Sequence, residues 1–195
     1  ADGVVLDTRG ESSKELQLAA DSVKRGVIMY SEGMAVPKDM QFTVSGRVHN
    51  ALYCVPMLNL NKFIKPEFSI FRVAELYKEP IRREFNTSFF NGYGTELNIF
   101  APGQPEWVEE QYKYLGRTTF ALRQHSSNFT NGFYTPLIPV NRDSIWVNRW
   151  ETNQKVIYTI YSMVPQGVQD LTFALRNKPG YHVVDLWRHR ELEGG

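Results

Sequence analysis

Two acidic residues stand where paired carboxylates are found in parallel β/α proteins. Asp7 closes the short apolar run Gly3-Val4-Val5-Leu6, and Glu32 follows Val27-Ile28-Met29-Tyr30 after a single serine, Ser31. Continuous apolar runs of this length read as strands covered on both faces, as parallel strands are. Neighbouring strands lie about 4.8 Å apart, and parallel β/α architecture opens all C-terminal strand ends on one face. Two carboxylates there can reach the roughly 5–5.5 Å separation at which one acts as nucleophile and the other as acid/base in retaining glycoside hydrolysis. The competing use of the same residues is structural: a helix cap, or an ion pair such as Asp7 with Arg9. The catalytic reading expects both carboxylates to face one cavity at about 5–7 Å, and carboxylates on opposite faces or buried in salt bridges would sink it.

The elements that must position this pair follow from the rest of the chain. A polar turn, Thr8 to Ser13, offers two serines as helix caps. Leu16, Ala19, Ala20 and Val23 then recur at helical spacing, Lys24 and Arg25 suit the helix end, and Gly26 closes it. With the second run this makes one βαβ unit, whose crossover is right-handed. Pro37 to Val48 is predicted to be partly helical, against Gly46 and the β-branched Thr43 and Val44. Ala51 to Leu58, despite Pro56, is a third predicted strand, Phe68 to Val73 a fourth and Thr95 to Phe100 a fifth. Pro80 to Phe90 is a short predicted helix, followed by the turn Asn91-Gly92-Tyr93-Gly94. From Glu106 to His125, Trp107, Val108, Tyr112, Leu115, Phe120 and Leu122 mark an amphipathic helix.

Beyond Asn131-Gly132 only strands are predicted. Ile145–Trp150 and Val156–Tyr161 flank a hairpin turn at Glu151-Thr152-Asn153-Gln154, and Leu171–Leu175 and Tyr181–Trp187 follow. The fold class is therefore α/β followed by all-β, with residues 1–132 as the first unit and 133–195 as a β-rich C-terminal module. Five strands are too few for a closed eight-stranded barrel. A five-stranded doubly wound sheet is the alternative, although no dinucleotide turn or P-loop follows the first strand.

Several function classes lose support. Net charge is +1 with both signs scattered, so no basic stripe addresses nucleic acid. No apolar stretch approaches the roughly 20 residues of a membrane span. The single Cys54 lies in an apolar run and reads as a buried thiol. His49, His125, His182 and His189 show no metal spacing, and no cofactor motif is present. No Gly-x-Ser-x-Gly elbow occurs. Aromatic residues make up 13% of the chain, and Trp146, Trp150 and Trp187 are assigned to strand packing ahead of a carbohydrate platform. Asn86-Thr87-Ser88 and Asn128-Phe129-Thr130 are glycosylation sequons. The start at Ala1, just ahead of a strand, reads as excision from a longer polypeptide.

Asp-Gly-Val-Val-Leu-Asp7, then Val-Ile-Met-Tyr-Ser-Glu32-Gly, then a long helix running into a β-rich segment is similar to large bacterial TIM-barrel glycosidases. The resemblance is to the endo-α-N-acetylgalactosaminidase group and its uncharacterised relatives. Phe89 to Gly94, Leu115 to Arg123, Thr135 to Pro139, Val147 to Trp150 and Val156 to Tyr161 resemble its last barrel turn, final helix and following β-sandwich. The resemblance implies a partial (β/α) barrel, about strands 4–8, with a C-terminal antiparallel β-sandwich-like module. It implies Asp7 as nucleophile and Glu32 as acid/base of a retaining O-glycosidase acting on oligo- or polysaccharides or glycoconjugates.

Arg9, Tyr30, Asn91 and Tyr93 lie where sugar hydroxyls or a pyranose face could bind, with Glu75 a further charged position near a strand end. The expected partner is a carbohydrate. The first three barrel strands are missing, so the sheet would need the N-terminal half of the barrel or a second copy of the chain to cover its edge. An extracytoplasmic location follows from the resemblance alone. The alternatives are a non-catalytic carbohydrate-binding or structural module, and an unrelated α/β domain with a β appendage.

Overall fold

The computed structural model describes residues 2–8, 11–32, 37–48, 58–75, 81–98, 108–169, 173–175 and 179–192. The first strand, β1 (Gly3–Leu6), leads through α1 (Lys14–Val23) into β2 (Ile28–Ser31). Ser13 is the serine that caps α1, accepting the Leu16 N–H at 3.1 Å. β3 (Ser45–Val48), β4 (Ser69–Glu75) and β5 (Gly94–Asn98) complete a five-stranded sheet of order β1-β2-β3-β4-β5, parallel throughout. The order runs consecutively and lacks the reversal that defines a doubly wound sheet.

A strand, β3, forms where a partly helical segment was expected. Residues 51–57 of the predicted strand Ala51 to Leu58 lie outside the described residues. The chain from Phe42 to Val44 is rich in residues that lose side-chain freedom in a helix, and Gly46 weakens one further. Val44 bonds to Met29 O at 2.9 Å and supplies its own carbonyl to Ser69 N at 3.1 Å, seating this segment between β2 and β4.

β1 also departs from expectation. Val4 and Val5 are 43% and 55% exposed, because β1 pairs only with β2 and is an edge strand among the described residues. No residue of α1 is buried, although its apolar positions have helical spacing.

Two longer helices, α2 (Arg82–Asn91) and α3 (Val108–Gln124), cover one face of the sheet. Ala74 of β4 packs there with Ile81, Phe85 and Val108, and Leu97, Tyr112 and Leu115 close around them. α2 ends at Gly92, whose φ of 65° is the left-handed cap a side chain would resist. Its N–H reaches the carbonyls of Ser88 and Phe89.

After α3 come a short helix, α4 (Ser126–Phe129), and an antiparallel sheet of β6 (Tyr134–Thr135), β7 (Ile145–Glu151) and β8 (Val156–Ser162). The β7–β8 hairpin turns where the sequence pattern placed it. Trp150 is fully buried, stacked on Tyr134 at 4.3 Å and tilted against Phe129 at 5.0 Å. Its indole N–H donates to Thr159 Oγ1 at 2.9 Å, and that hydroxyl donates to Phe90 O at 2.7 Å. Asn148 Nδ2 reaches the same carbonyl at 3.2 Å. The end of α2 is thereby bound to the β-sheet.

β9 (Val183–Asp185) and β10 (Arg190–Leu192) form a separate antiparallel pair. β10 carries no apolar alternation and was not expected. Residues 173–175 are described and carry no strand, and the remaining residues of that predicted strand, 171–172, lie outside the described set.

Candidate active site

Strand register brings the chemistry-bearing side chains into one row. Leu6 pairs with Ser31 and Ser31 with Gly46, so Asp7, Glu32 and Arg47 follow one another across three neighbouring strands. Arg47 pairs with Phe71 and Phe71 with Gly94, which carries the row to β5. Side chains alternate between faces along a strand. Tyr30 therefore shares a face with Glu32, and Glu96 shares it with Gly94. This is the face opposite Ala74 and its helices.

Five polar side chains meet there. Arg47 Nη1 bonds Glu32 Oε1 at 2.5 Å. Its other edge forks onto Glu96, Nη2 to Oε1 at 2.5 Å and Nε to Oε2 at 2.8 Å. Tyr30 donates its hydroxyl to Glu96 Oε2 at 2.8 Å and accepts from Arg47 Nε at 3.0 Å. Glu32 Oε2 receives the Thr8 backbone N–H at 2.6 Å. Thr8 adopts a φ of 58°, an outlier for a β-branched residue.

Asp7 and Glu32 lie within hydrogen-bonding reach of each other. That bond is the largest cause of opposite shifts. It raises Asp7 above the usual carboxylate range, reinforced by the charge of Glu32. It lowers Glu32 to about 2, with the Thr8 N–H and the Arg47 guanidinium acting in the same direction. Tyr30 is pushed up to about 12 by burial first, then by Glu96. The carboxyls are thus closer than the 5–7 Å expected, and Glu32 is engaged in an ion pair. A ligand between them has to break their mutual bond.

The structure brings Asp7, Glu32 and Tyr30 together, and it does not bring Asn91 or Tyr93 to them. Asn91 is fully buried, its Oδ1 accepting Asn59 N at 2.9 Å and its Nδ2 donating to Thr87 O at 3.0 Å. It belongs to the last turn of α2 and not to an open loop. Tyr93 is 3% exposed, packed with Met40, Phe68 and Ile70 on the opposite face. Arg9, His49, Cys54 and the Glu75 side chain lie outside the described residues.

Arg47 and Glu96 were not anticipated. Arg47 was hidden by the helical reading of its segment. Glu96 carried a usable signal, a charge at an inward position of a predicted strand between Thr95 and Leu97.

The remaining candidates have structural partners. Trp187 is covered by the Arg117 guanidinium at 4.0 Å from its ring and by Tyr114 at 5.2 Å. The sequon residue Asn128 is fully buried with Nδ2 bonded to Trp150 O and Lys155 O, and Tyr114 bonds the other, Asn86. Lys155 Nζ sits 2.7 Å from His125 Nδ1. Among the described residues no group of His, Cys, Asp and Glu is arranged to hold a metal, and no helix is long and apolar enough to cross a membrane. An open cleft of about 390 Å³ beside the β7–β8 turn is lined by Phe133, Glu151, Lys155 and Tyr181 among others, and Asp7, Glu32 and Glu96 are not part of it. No family model, curated protein or solved structure matches the chain.

Proposed function

We propose that this chain carries the carboxylate pair of a retaining O-glycoside hydrolase, on what would be about strands 4–8 of a (β/α) barrel followed by a β-sandwich-like module. The observation that carries the reading is the Asp7–Glu32 pair at the C-terminal ends of adjacent parallel strands, with Asp7 pushed up and Glu32 held down. A consecutive strand order with helices on one face supports the barrel part.

Retaining hydrolysis needs one carboxylate ionised and the other protonated at the start. The resemblance assigns attack to Asp7 and proton transfer to Glu32. The hydrogen bonds favour the reverse order, and we adopt it. Glu32, held ionised, attacks the anomeric carbon while Asp7 gives its proton to the departing glycosidic oxygen. Asp7 then takes a proton from water as that water displaces Glu32 from the sugar, restoring both groups.

The test is a panel of aryl glycosides and activated 2-deoxy-2-fluoro glycosides, applied to the chain and to any longer polypeptide that contains it. Turnover should fall by roughly 10²–10⁴-fold in both Asp7→Asn and Glu32→Gln, and a trapped sugar should map to Glu32. A trapped sugar on Asp7 restores the order implied by the resemblance. Sugar affinity that survives both substitutions, with no turnover across the panel, supports a non-catalytic carbohydrate-binding module. The commitment of Glu32 to Arg47 is what favours that second reading.

A further inference from the structure

We infer that Arg47 is the positioning residue of the carboxylate pair: it fixes Glu32 as the charged member, and Glu96 with Tyr30 fixes Arg47. All three guanidinium nitrogens are used within the row, Nη1 on Glu32, Nη2 on Glu96, and Nε on Glu96 and the Tyr30 hydroxyl. A planar fork held on both edges has no freedom to follow a different carboxylate.

The anchoring comes from several strands. Glu96 belongs to β5, two strands beyond Arg47, and reaches back across β4. Phe71 of β4 meets the Tyr30 ring edge-on at 6.0 Å, and the Arg47 guanidinium lies 5.7 Å from the same ring. The ionisable groups of the row are Asp7 after β1, Tyr30 and Glu32 of β2 and its end, Arg47 of β3, and Glu96 of β5. One cation stands between two carboxylates there, and Glu32 adds the Thr8 N–H. A proton on Glu32 would occupy one of the two oxygens that accept these bonds and remove the charge that strengthens both, whereas Asp7 can carry it and still donate to Glu32. The proton therefore resides on Asp7.

The inference rests on the proposed carboxylate pair, but its readout is protonation and not turnover. Carboxyl ¹³C resonances of the labelled chain, assigned with Asp7→Asn and Glu32→Gln, are followed against pH. In wild type Glu32 stays ionised through the range where a free Glu titrates, near 4.3. Arg47→Met should weaken its acidity several-fold, bringing its titration up toward that range. Arg47→Lys, which keeps the charge and loses the fork, should return part of the shift. Arg47→Gln, which removes the charge and keeps a polar side chain, should move Glu32 in the same direction, and it carries the test if Arg47→Met fails to fold. An unmoved Glu32 in Arg47→Met, or in Arg47→Gln should that be the variant that folds, overturns the inference, as does Arg47→Lys matching Arg47→Met. Absence of turnover with these titrations intact would sink only the hydrolase reading.

Discussion

Gly94→Ala tests the packing that holds the carboxylate row. Gly94 opens β5 opposite Phe71 of β4, and its φ is not among the positive values. The position therefore needs glycine for space and not for backbone freedom. A Cβ there would meet Phe71 Cδ1 at 2.6 Å and Cε1 at 2.7 Å. Ordinary carbon contacts are about 3.5–4.0 Å, so the ring has to move by about 1 Å. On the side away from β5 it meets Tyr30, whose hydroxyl is anchored to Arg47 and Glu96. Overpacking of this kind costs about 1–3 kcal/mol, and the reduced chain entropy of Ala returns about 0.5–1 kcal/mol. The net loss is about 0–2.5 kcal/mol, centred near 1 kcal/mol, read as a lower urea midpoint at unchanged m, or as a fall in Tm of about 2–4 °C at that centre. The same substitution in a Phe71→Ala background should be neutral or stabilising, a coupling of about 1 kcal/mol or more. An unchanged midpoint in wild type, or an equal loss in both backgrounds, would refute the reasoning.

Two further outcomes are expected. Lys62 is 4% exposed, donates to Pro66 O at 2.6 Å, and is lowered to about 8 by burial, against the opposing pull of Glu67. Its folded value lies below the unfolded one, so the unfolded chain binds more protons between about pH 8 and 10.5 and unfolding free energy rises with pH there, by about 3 kcal/mol. Lys62→Met should abolish that rise in urea titrations at stepped pH, and a rise that persists excludes Lys62 as its source. Asn128→Ala removes both donors from Asn128 Nδ2 to Trp150 O and Lys155 O at 3.0 and 3.2 Å, and should cost about 1–3 kcal/mol by thermal melting. A variant melting with wild type would mean those carbonyls find other donors.

What could be read from sequence depended on how apolar each element is. β1 and β2 are short, largely apolar strands each followed by an acid, and that pattern alone points to Asp7 and Glu32. The helical spacing of α3 and the β7–β8 hairpin were equally plain. β3 is Ser-Gly-Arg-Val, with no apolar run to betray it, and reading its segment as partly helical hid Arg47. β10 is likewise polar and gains its strand character only from pairing with β9. Asn91 and Tyr93 were assigned to an open turn because Gly92 and Gly94 flank Tyr93. Gly92 instead caps α2 and turns Asn91 inward, while Gly94 makes room for Phe71. Two glycines with different physical causes look alike in a sequence.

The account stands or falls on whether Asp7 and Glu32 behave as one pair with the charge on Glu32. Between about pH 2 and 4.5 the unfolded chain binds the Glu32 proton more readily, so Glu32 makes stability rise with pH. From 3.8 up to the raised value of Asp7 the folded chain holds the proton, so Asp7 makes stability fall with pH. Direct ¹³C titration of both carboxyls in the wild-type chain, repeated with Asp7→Asn, separates the two. The account expects Glu32 to remain ionised while Asp7 titrates above 3.8, and Glu32 to become less acidic when Asp7 is replaced. Two independent titrations near the ordinary values of about 3.9 and 4.3, with Glu32 indifferent to Asp7→Asn, would contradict it.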